Sequence, residues 1–245
     1  MKKIIETIKH KWADYLLEII VIMVGILGAF SLNNWNEGQK DKKKENYYLA
    51  ALKKEFLENK EIIQHGIEFH KTQIKNAQLV LAVITEDTAL INLEELHFAL
   101  LQTGWAWSGD FNNNVWSELI NTGNVGLISN NPLREAITQF KSKARGMIIA
   151  EKEWMTFNLK YRETTGDVLP PKLRLSIGEA LGHYQNQGKI EEPLLTQEQI
   201  EKELNEIDGV NAILTDVIIV RRVGLGFLQD LAKNTEDILQ KLDLE

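Results

Sequence analysis

The chain has 245 residues, 44% of them apolar and 26% charged, with no cysteine and a formal charge of −7. The lack of cysteine excludes disulfides, thiolate metal sites, a catalytic thiol and a lipidated N-terminal cysteine. Residues 1–32 hold four lysines against three carboxylates, so the remainder is more acidic still. That argues against nucleic acid as a partner, because phosphate recognition needs a concentrated basic face.

Residues 1–14, MKKIIETIKHKWAD, set Ile4, Ile5, Ile8 and Trp12 near one face at helical spacing, among Lys2, Lys3, Lys9 and Lys11. Such a segment either lies on an anionic leaflet or is a solvated tail that orients the apolar run beyond it, and both readings place it in the cytoplasm. Residues 15–35, YLLEIIVIMVGILGAFSLNNW, are expected to form a transmembrane anchor. About 17 residues, 16–32, carry a single charge, Glu18, which is at the short end of what spans roughly 30 Å of hydrocarbon. A cleaved signal peptide is the competing reading, since Ala29 and Ser31 satisfy a small-x-small rule. The unbroken helix-forming sequence after the apolar run favours an uncleaved signal anchor. Glu18, a turn into the helix, suits headgroup water and the positive end of the helix dipole. Gly25, Gly28 and Ala29 offer a small-residue strip against which a second helix can pack, so they are candidates for helix association. Lys40, Lys42, Lys43 and Lys44 mirror the N-terminal lysines, so loop charge alone does not orient the span. The short tail and the long region beyond it point to a C-terminal domain in the periplasm.

Beyond the anchor, Leu49, Leu52, Phe56, Ile63, Ile67, Ile74, Ala77, Leu81 and Ile84 recur at steps of three and four. This predicts a stalk helix over 44–85, with a stutter in a coiled-coil-like seam and with Asn59 and His70 standing at apolar stripe positions. Glu61, His65 and Glu68 share a face but lack a third strong metal ligand, and read as a solvated charged face. A short helix over 93–102 precedes GWAWSGDFNNN, where Trp105, Trp107, Phe111 and Trp116 crowd together. Either these rings pin a loop into the bundle, or they line a pocket for a small ligand or partner. Asp110, Asn112 and Asn114 echo the start of a calcium loop, but Val115 and Asn121 stand where the required glycine and final carboxylate belong.

Gly123 is placed as a helix-terminating glycine, and Asn131-Pro132 as the cap and first residue of a helix over 132–163. That helix carries Leu133, Ile137, Phe140, Ala144, Met147 or Ile148, Glu151, Trp154 or Met155, and Leu159 on its stripe. A small helix is expected over 172–182, and Thr196 with Gln199 predicts a capping box, stapled by Leu195 and Ile200. The last helix, 210–242, presents Ile213, Leu214, Val217, Ile218, Leu225, Leu228, Leu231, Ile238 and Leu242 on one face. Its apolar run contains Asp216 and stops at Arg221-Arg222, too polar for a second span. Long helices with no period-two stretch describe an all-α bundle.

YLLEIIVIMVGILGAFSLNNWNE resembles the anchor of a family of uncharacterised single-pass membrane proteins of Gram-negative bacteria, whose members open with YLLEI…GI…NNWNE. YYLAALKKEFLENK is also similar to that family, as is VWSELINTGNVGLISNNPLREAI through Glu118, Leu119, Thr122, Gly123, Leu127, Ile128, Asn130, Leu133 and Arg134. Gly28-Ala29-Phe30-Ser31 is smaller and more polar than the family's aliphatic run. The resemblance implies a cytoplasmic tail and an extracytoplasmic helical domain, and it carries no assigned activity. The unbroken anchor-to-stalk pattern and the lack of a catalytic constellation lead us to expect a non-enzymatic interaction or scaffold role at the bacterial inner membrane. Its partners would be the lipid bilayer and either a second copy or another membrane or periplasmic protein. The alternative is a periplasmic ligand-sensing domain that acts through a partner. No cofactor, metal or catalytic residue is expected, since no nucleophile elbow, HExxH or phosphate loop is present.

Overall fold

The computed structural model describes residues 2–85, 91–182 and 190–244. They form seven α-helices: α1 (Lys2–Thr85), α2 (Leu93–Gln102), α3 (Asn114–Asn121), α4 (Asn131–Thr165), α5 (Pro171–Gly182), α6 (Gln197–Asn205) and α7 (Val210–Asp243). A turn of 3₁₀ helix covers Asn124–Leu127, and no strand occurs among the described residues. The protein is all-helical, with one long apolar helix at its N-terminus. The fold divides into two compact units, Met1–Leu52 with Val115–Ser129, and Lys53–Asn114 with Asn130–Glu245.

In the first unit α1 runs without interruption through the apolar stretch and the lysine-rich stretch after it. The large apolar side chains of 16–32 are all exposed, and the Cα atoms of Gly25 and Gly28 face open space. The side chains of residues 1–11, on which an amphipathic tail rests, lie outside the described residues. Farther along, Tyr48, Leu49 and Leu52 are buried, as are Trp116 and Leu119 of α3 and Ile128. Two long-range ties secure this corner: the Tyr48 hydroxyl donates to Glu118 Oε1 at 3.0 Å, and the Ser129 amide donates to Glu45 Oε1 at 2.6 Å. Gly123 ends α3 with a φ of 70°, left-handed backbone that a side chain would strain. The two sequence segments that resemble family motifs here thus hold each other.

The second unit is built on α1 beyond Leu52, α4 and α7. Ion pairs Lys53–Asp243 and Lys60–Glu236 set α7 antiparallel to α1, and Lys143–Asp230 with Arg221–Glu151 set it antiparallel to α4. Phe56 meets Phe140 edge to face at 5.0 Å, so α4 runs parallel to α1 when taken with the His70–Glu151 contact farther along. The residues that sequence spacing places on the stripes form the core: Phe56, Ile63, Ala77, Leu133, Ile137, Phe140, Met147, Leu214, Val217, Leu228 and Ile238 are each nearly or fully buried. Glu61, His65 and Glu68 are exposed.

Caps fix the helix starts. Asn92 accepts from the amides of Glu94 and Glu95 to open α2, and Thr196 forms the capping box with Gln199 that opens α6. One expected cap is shifted by a residue. Asn130, not Asn131, accepts from the Leu133 amide at 2.9 Å, so Asn131 and Pro132 are already helical. Either asparagine suits the role; only the one in extended backbone, φ −73° and ψ 98°, aims its side chain back at the first turn. At the far end, the buried Tyr161 hydroxyl donates to the Leu100 carbonyl at 2.9 Å, and burial pushes its pKa up. His97 accepts from the Leu195 amide at Nε2, 3.1 Å, while Nδ1 lies 2.6 Å from the Leu93 carbonyl. That pairing assigns the proton to Nδ1, and desolvation lowers this histidine's pKa.

Candidate functional site

The candidate site lies wholly within the second unit. Between α2 and α3 the chain crosses the bundle as residues 103–113, and the sequence explains how it is held. Asn59, buried on α1, makes two reciprocal bonds to residue 112: its Nδ2 donates to the Asn112 carbonyl at 2.7 Å, and its Oδ1 accepts from the Asn112 amide at 2.8 Å. The Asn112 side chain donates in turn to Glu58 at 2.7 Å. A polar residue inside an apolar stripe is costly unless paired, and Asn59 is paired by loop backbone. Trp107 lies against α1, where a methyl on Gly66 would stand 2.6 Å from its ring. A methyl on Gly109 would stand 2.1 Å from the same ring on the loop side. Both glycines therefore provide clearance for one indole. Trp107 meets Phe111 edge to face, and Phe111 meets Phe140 in the same way, each at 6.0 Å.

Beneath Trp107 is a buried cluster of ionisable groups from three helices. Arg221 of α7 is fully buried and donates from Nη1 to both carboxylate oxygens of Glu151 of α4, at 3.2 and 3.0 Å. Its Nη2 donates to the Trp105 carbonyl at 2.9 Å, and its guanidinium sits 5.5 Å from the Phe69 ring centroid. His70 of α1 brings Nε2 to 3.2 Å from Glu151 Oε1, but without hydrogen-bond alignment. Its ring packs within 6.0 Å of Trp107, on a site that exists because residue 224 is glycine: a methyl there would meet His70 Cε1 at 2.4 Å. His70 Nδ1, Gln73 Oε1, Arg221 Nε and both polar atoms of the Asn158 side chain lack protein partners. The loop is thus tied by hydrogen bonds to α1 through Asn59 and to α7 through Arg221.

Two cavities flank the loop along α4. One, about 700 Å³, is lined by Phe111, Asn113, Phe140, Lys141, Ser142, Ala144, Arg145, Ile148 and Ile149. The other, about 440 Å³, is lined by Trp107, Ser108, Gly109, Asp110, Ile148, Glu151, Lys152 and Met155. Ile148 belongs to both. Partial burial lowers the pKa of Lys141, against the opposing pull of the buried Glu55 carboxylate.

Of the four aromatic residues singled out in the sequence, Trp107 and Phe111 come together and line these cavities. Trp105 contributes its carbonyl to Arg221, and its side chain borders a separate space of about 60 Å³ with Tyr161 and Arg162. Trp116 is a buried residue of α3, in the first unit. In the sequence Asn112 reads as part of a calcium-loop echo and Arg221 as the polar end of an apolar run, and neither shows its partner. Arg221 could have been found, because it falls on the buried face of α7 between Val217 and Gly224 rather than at the end of an apolar run.

The pattern of a family described as being of unknown function, DUF6090, matches residues 18–165, more than half of the chain. The chain belongs to the DUF6090 family. No curated protein matches it, and no solved structure does. The DUF6090 match takes in the loop, both cavities, His70 and Glu151, and ends at Thr165, the last residue of α4. Arg221, which neutralises Glu151, lies outside the matched segment.

Proposed function

We propose that this DUF6090 protein is a non-enzymatic interaction protein anchored in the bacterial inner membrane, with a short cytoplasmic tail and its helical domain in the periplasm. One observation carries the reading. The apolar stretch of α1 is continuous with the helix that builds the domain, and none of its residues is buried in the protein. Leaving its twelve large side chains in water would forgo on the order of 20 kcal/mol at about 1.5–3 kcal/mol per fully buried side chain. Residues 16–32 in helical form rise about 26 Å, close to a hydrocarbon core. Gly25, Gly28 and Ala29 face outward on that stretch and suit close approach of a second helix. Two experiments test the reading. Alkaline extraction should leave the full chain in the membrane pellet, and a C-terminal alkaline phosphatase fusion should be active. Cysteine crosslinking at Gly25 or Ala29, or from α4, should trap a dimer or a partner. Release into the supernatant, or crosslinks that return monomer alone, would remove the proposal.

The cavities beside Trp107 favour a second reading, ligand sensing through a partner protein. The loop that roofs them is tied to α1 and α7, so occupancy there has a direct path into the helix that carries the anchor. A ligand that raises the melting temperature of the wild type but not of Trp107→Ala supports this reading; equal shifts in both speak against it.

A further inference from the structure

The geometry points to a fatty-acid-type carboxylate, a single acyl chain with one negative charge, as the occupant of the groove between residues 107–113 and α4. The inference rests on the ligand-binding reading of that groove. α4 is basic in an acidic protein: it carries seven Lys and Arg against four Glu, while the whole chain is −7. One of those glutamates, Glu151, is neutralised within the bundle by Arg221, and one of the lysines, Lys143, pairs with Asp230 of α7. Lys141, Arg145 and Lys152 recur along the α4 flank at steps of four and seven: Lys141, which faces the buried Glu55, and Arg145 line one cavity, and Lys152 lines the other. Between them, Ile148 joins the two spaces, with Phe111 and Phe140 on one side and Trp107 and Met155 on the other. From Lys141 to Met155 the helix rises roughly 21 Å, so the groove is long, apolar along its floor and cationic along its edge.

Charge and shape select the occupant. Cavities of this size suit a small molecule, and the exposed Ile148, Ile149 and Met155 ask for an apolar body of extended shape. The cations are spread along the helix and not gathered at one point, which suits one monovalent head on one cation. Arg145 offers the planar fork that pairs with a carboxylate. A dianionic phosphate would be better served by clustered cations. Asp110 at the rim repels a dianion more strongly than a monoanion.

The test uses the full chain in phosphatidylcholine nanodiscs with dansyl-undecanoate as the probe, read by energy transfer from tryptophan and referenced to Trp107→Phe. Saturable transfer should be displaced by dodecanoate, and far less by dodecanol or dodecyl phosphate. Arg145→Glu should weaken the probe roughly tenfold or more, the size expected for one charge-assisted hydrogen bond. Ile148→Asp should abolish saturable transfer. Both positions are exposed, and circular dichroism should report unchanged helicity. Stronger displacement by dodecyl phosphate, equal displacement by dodecanol, or no effect of Arg145→Glu would overturn the carboxylate assignment while a loss in Ile148→Asp still marks the groove as a ligand site. Absence of saturable transfer in every arm would overturn the ligand-binding reading as well.

Discussion

Replacing Glu151 by methionine should be among the most damaging single changes in the protein, and replacing Arg221 by methionine as well should reverse most of the damage. Arg221 is fully buried and spends Nη1 on both oxygens of Glu151, so the single variant leaves a guanidinium in the core with the Trp105 carbonyl as its remaining hydrogen-bond acceptor and the Phe69 ring beside it. An uncompensated buried charge costs about 3–5 kcal/mol, whereas exchanging both members of a pair for apolar groups of similar volume is commonly neutral or better. At about 2–4 °C per kcal/mol for a protein of this length, Glu151→Met should lower the melting temperature by on the order of 10 °C. The double variant should return to within about 2 kcal/mol of wild type, with the lost Trp105 bond as its main remaining defect. Thermal and urea unfolding of the four proteins, followed by circular dichroism in detergent, completes a double-mutant cycle. A Glu151→Met cost below about 1 kcal/mol, or a double variant as unstable as the sum of the singles, would show that the pair is not the buried ion pair described.

Other tests reach other parts of the fold. Asn59→Ala should cost about 1–3 kcal/mol, because it strips the loop amide and carbonyl of residue 112 of their partner, and it should red-shift the emission of Trp107 as the loop loosens. Gly66→Ala places a methyl within 2.6 Å of the Trp107 ring; despite a gain in helix propensity it should lower stability by about 1–2 kcal/mol through overpacking, with a null result refuting the tight contact. His97 accepts a backbone amide at Nε2 and has a lowered pKa. Its neutral form is the one that stabilises the fold, so stability should fall as pH drops below about 6.5, the ordinary histidine value, and the fall should be shallower in His97→Gln. Melting curves from pH 7.5 down to about 5.5 decide this; equal pH slopes in both proteins would contradict the assigned tautomer.

The helices were legible because their causes are local. Three- and four-residue apolar steps, the Thr196–Gln199 box and the glycine at 123 act within a turn or two, and each can be read without knowing what packs where. The loop was half legible. A run of tryptophans in a polar stretch had to be buried somewhere, but Trp107 and Phe111 meet while Trp116 belongs to another unit, and only the tertiary path of the chain separates them. Asn59, His70 and Glu151 showed themselves as polar residues at stripe positions. What they were for depended on Asn112 and Arg221, which stand 53 and 70 positions from Asn59 and Glu151 respectively. No periodicity reports a pairing across such distances. Arg221 was also disguised by its neighbour, since Arg221-Arg222 looks like a solvated end when one is buried and the other exposed.

The placement of Arg221 has a consequence for how the protein is made. The segment that carries the family pattern stops at the end of α4, yet the acid on α4 finds its counter-ion only on the final helix. During synthesis α1 and α4 are complete while the 78 residues up to the end of α7 are still to come, an interval of roughly 4–16 s at ribosomal elongation rates. For that time Glu151 lacks its counter-ion and the apolar stripes that α7 covers are open to water. A chain cut short after Thr165 keeps Glu151 without its counter-ion and should be cleaved by proteases faster than the full chain.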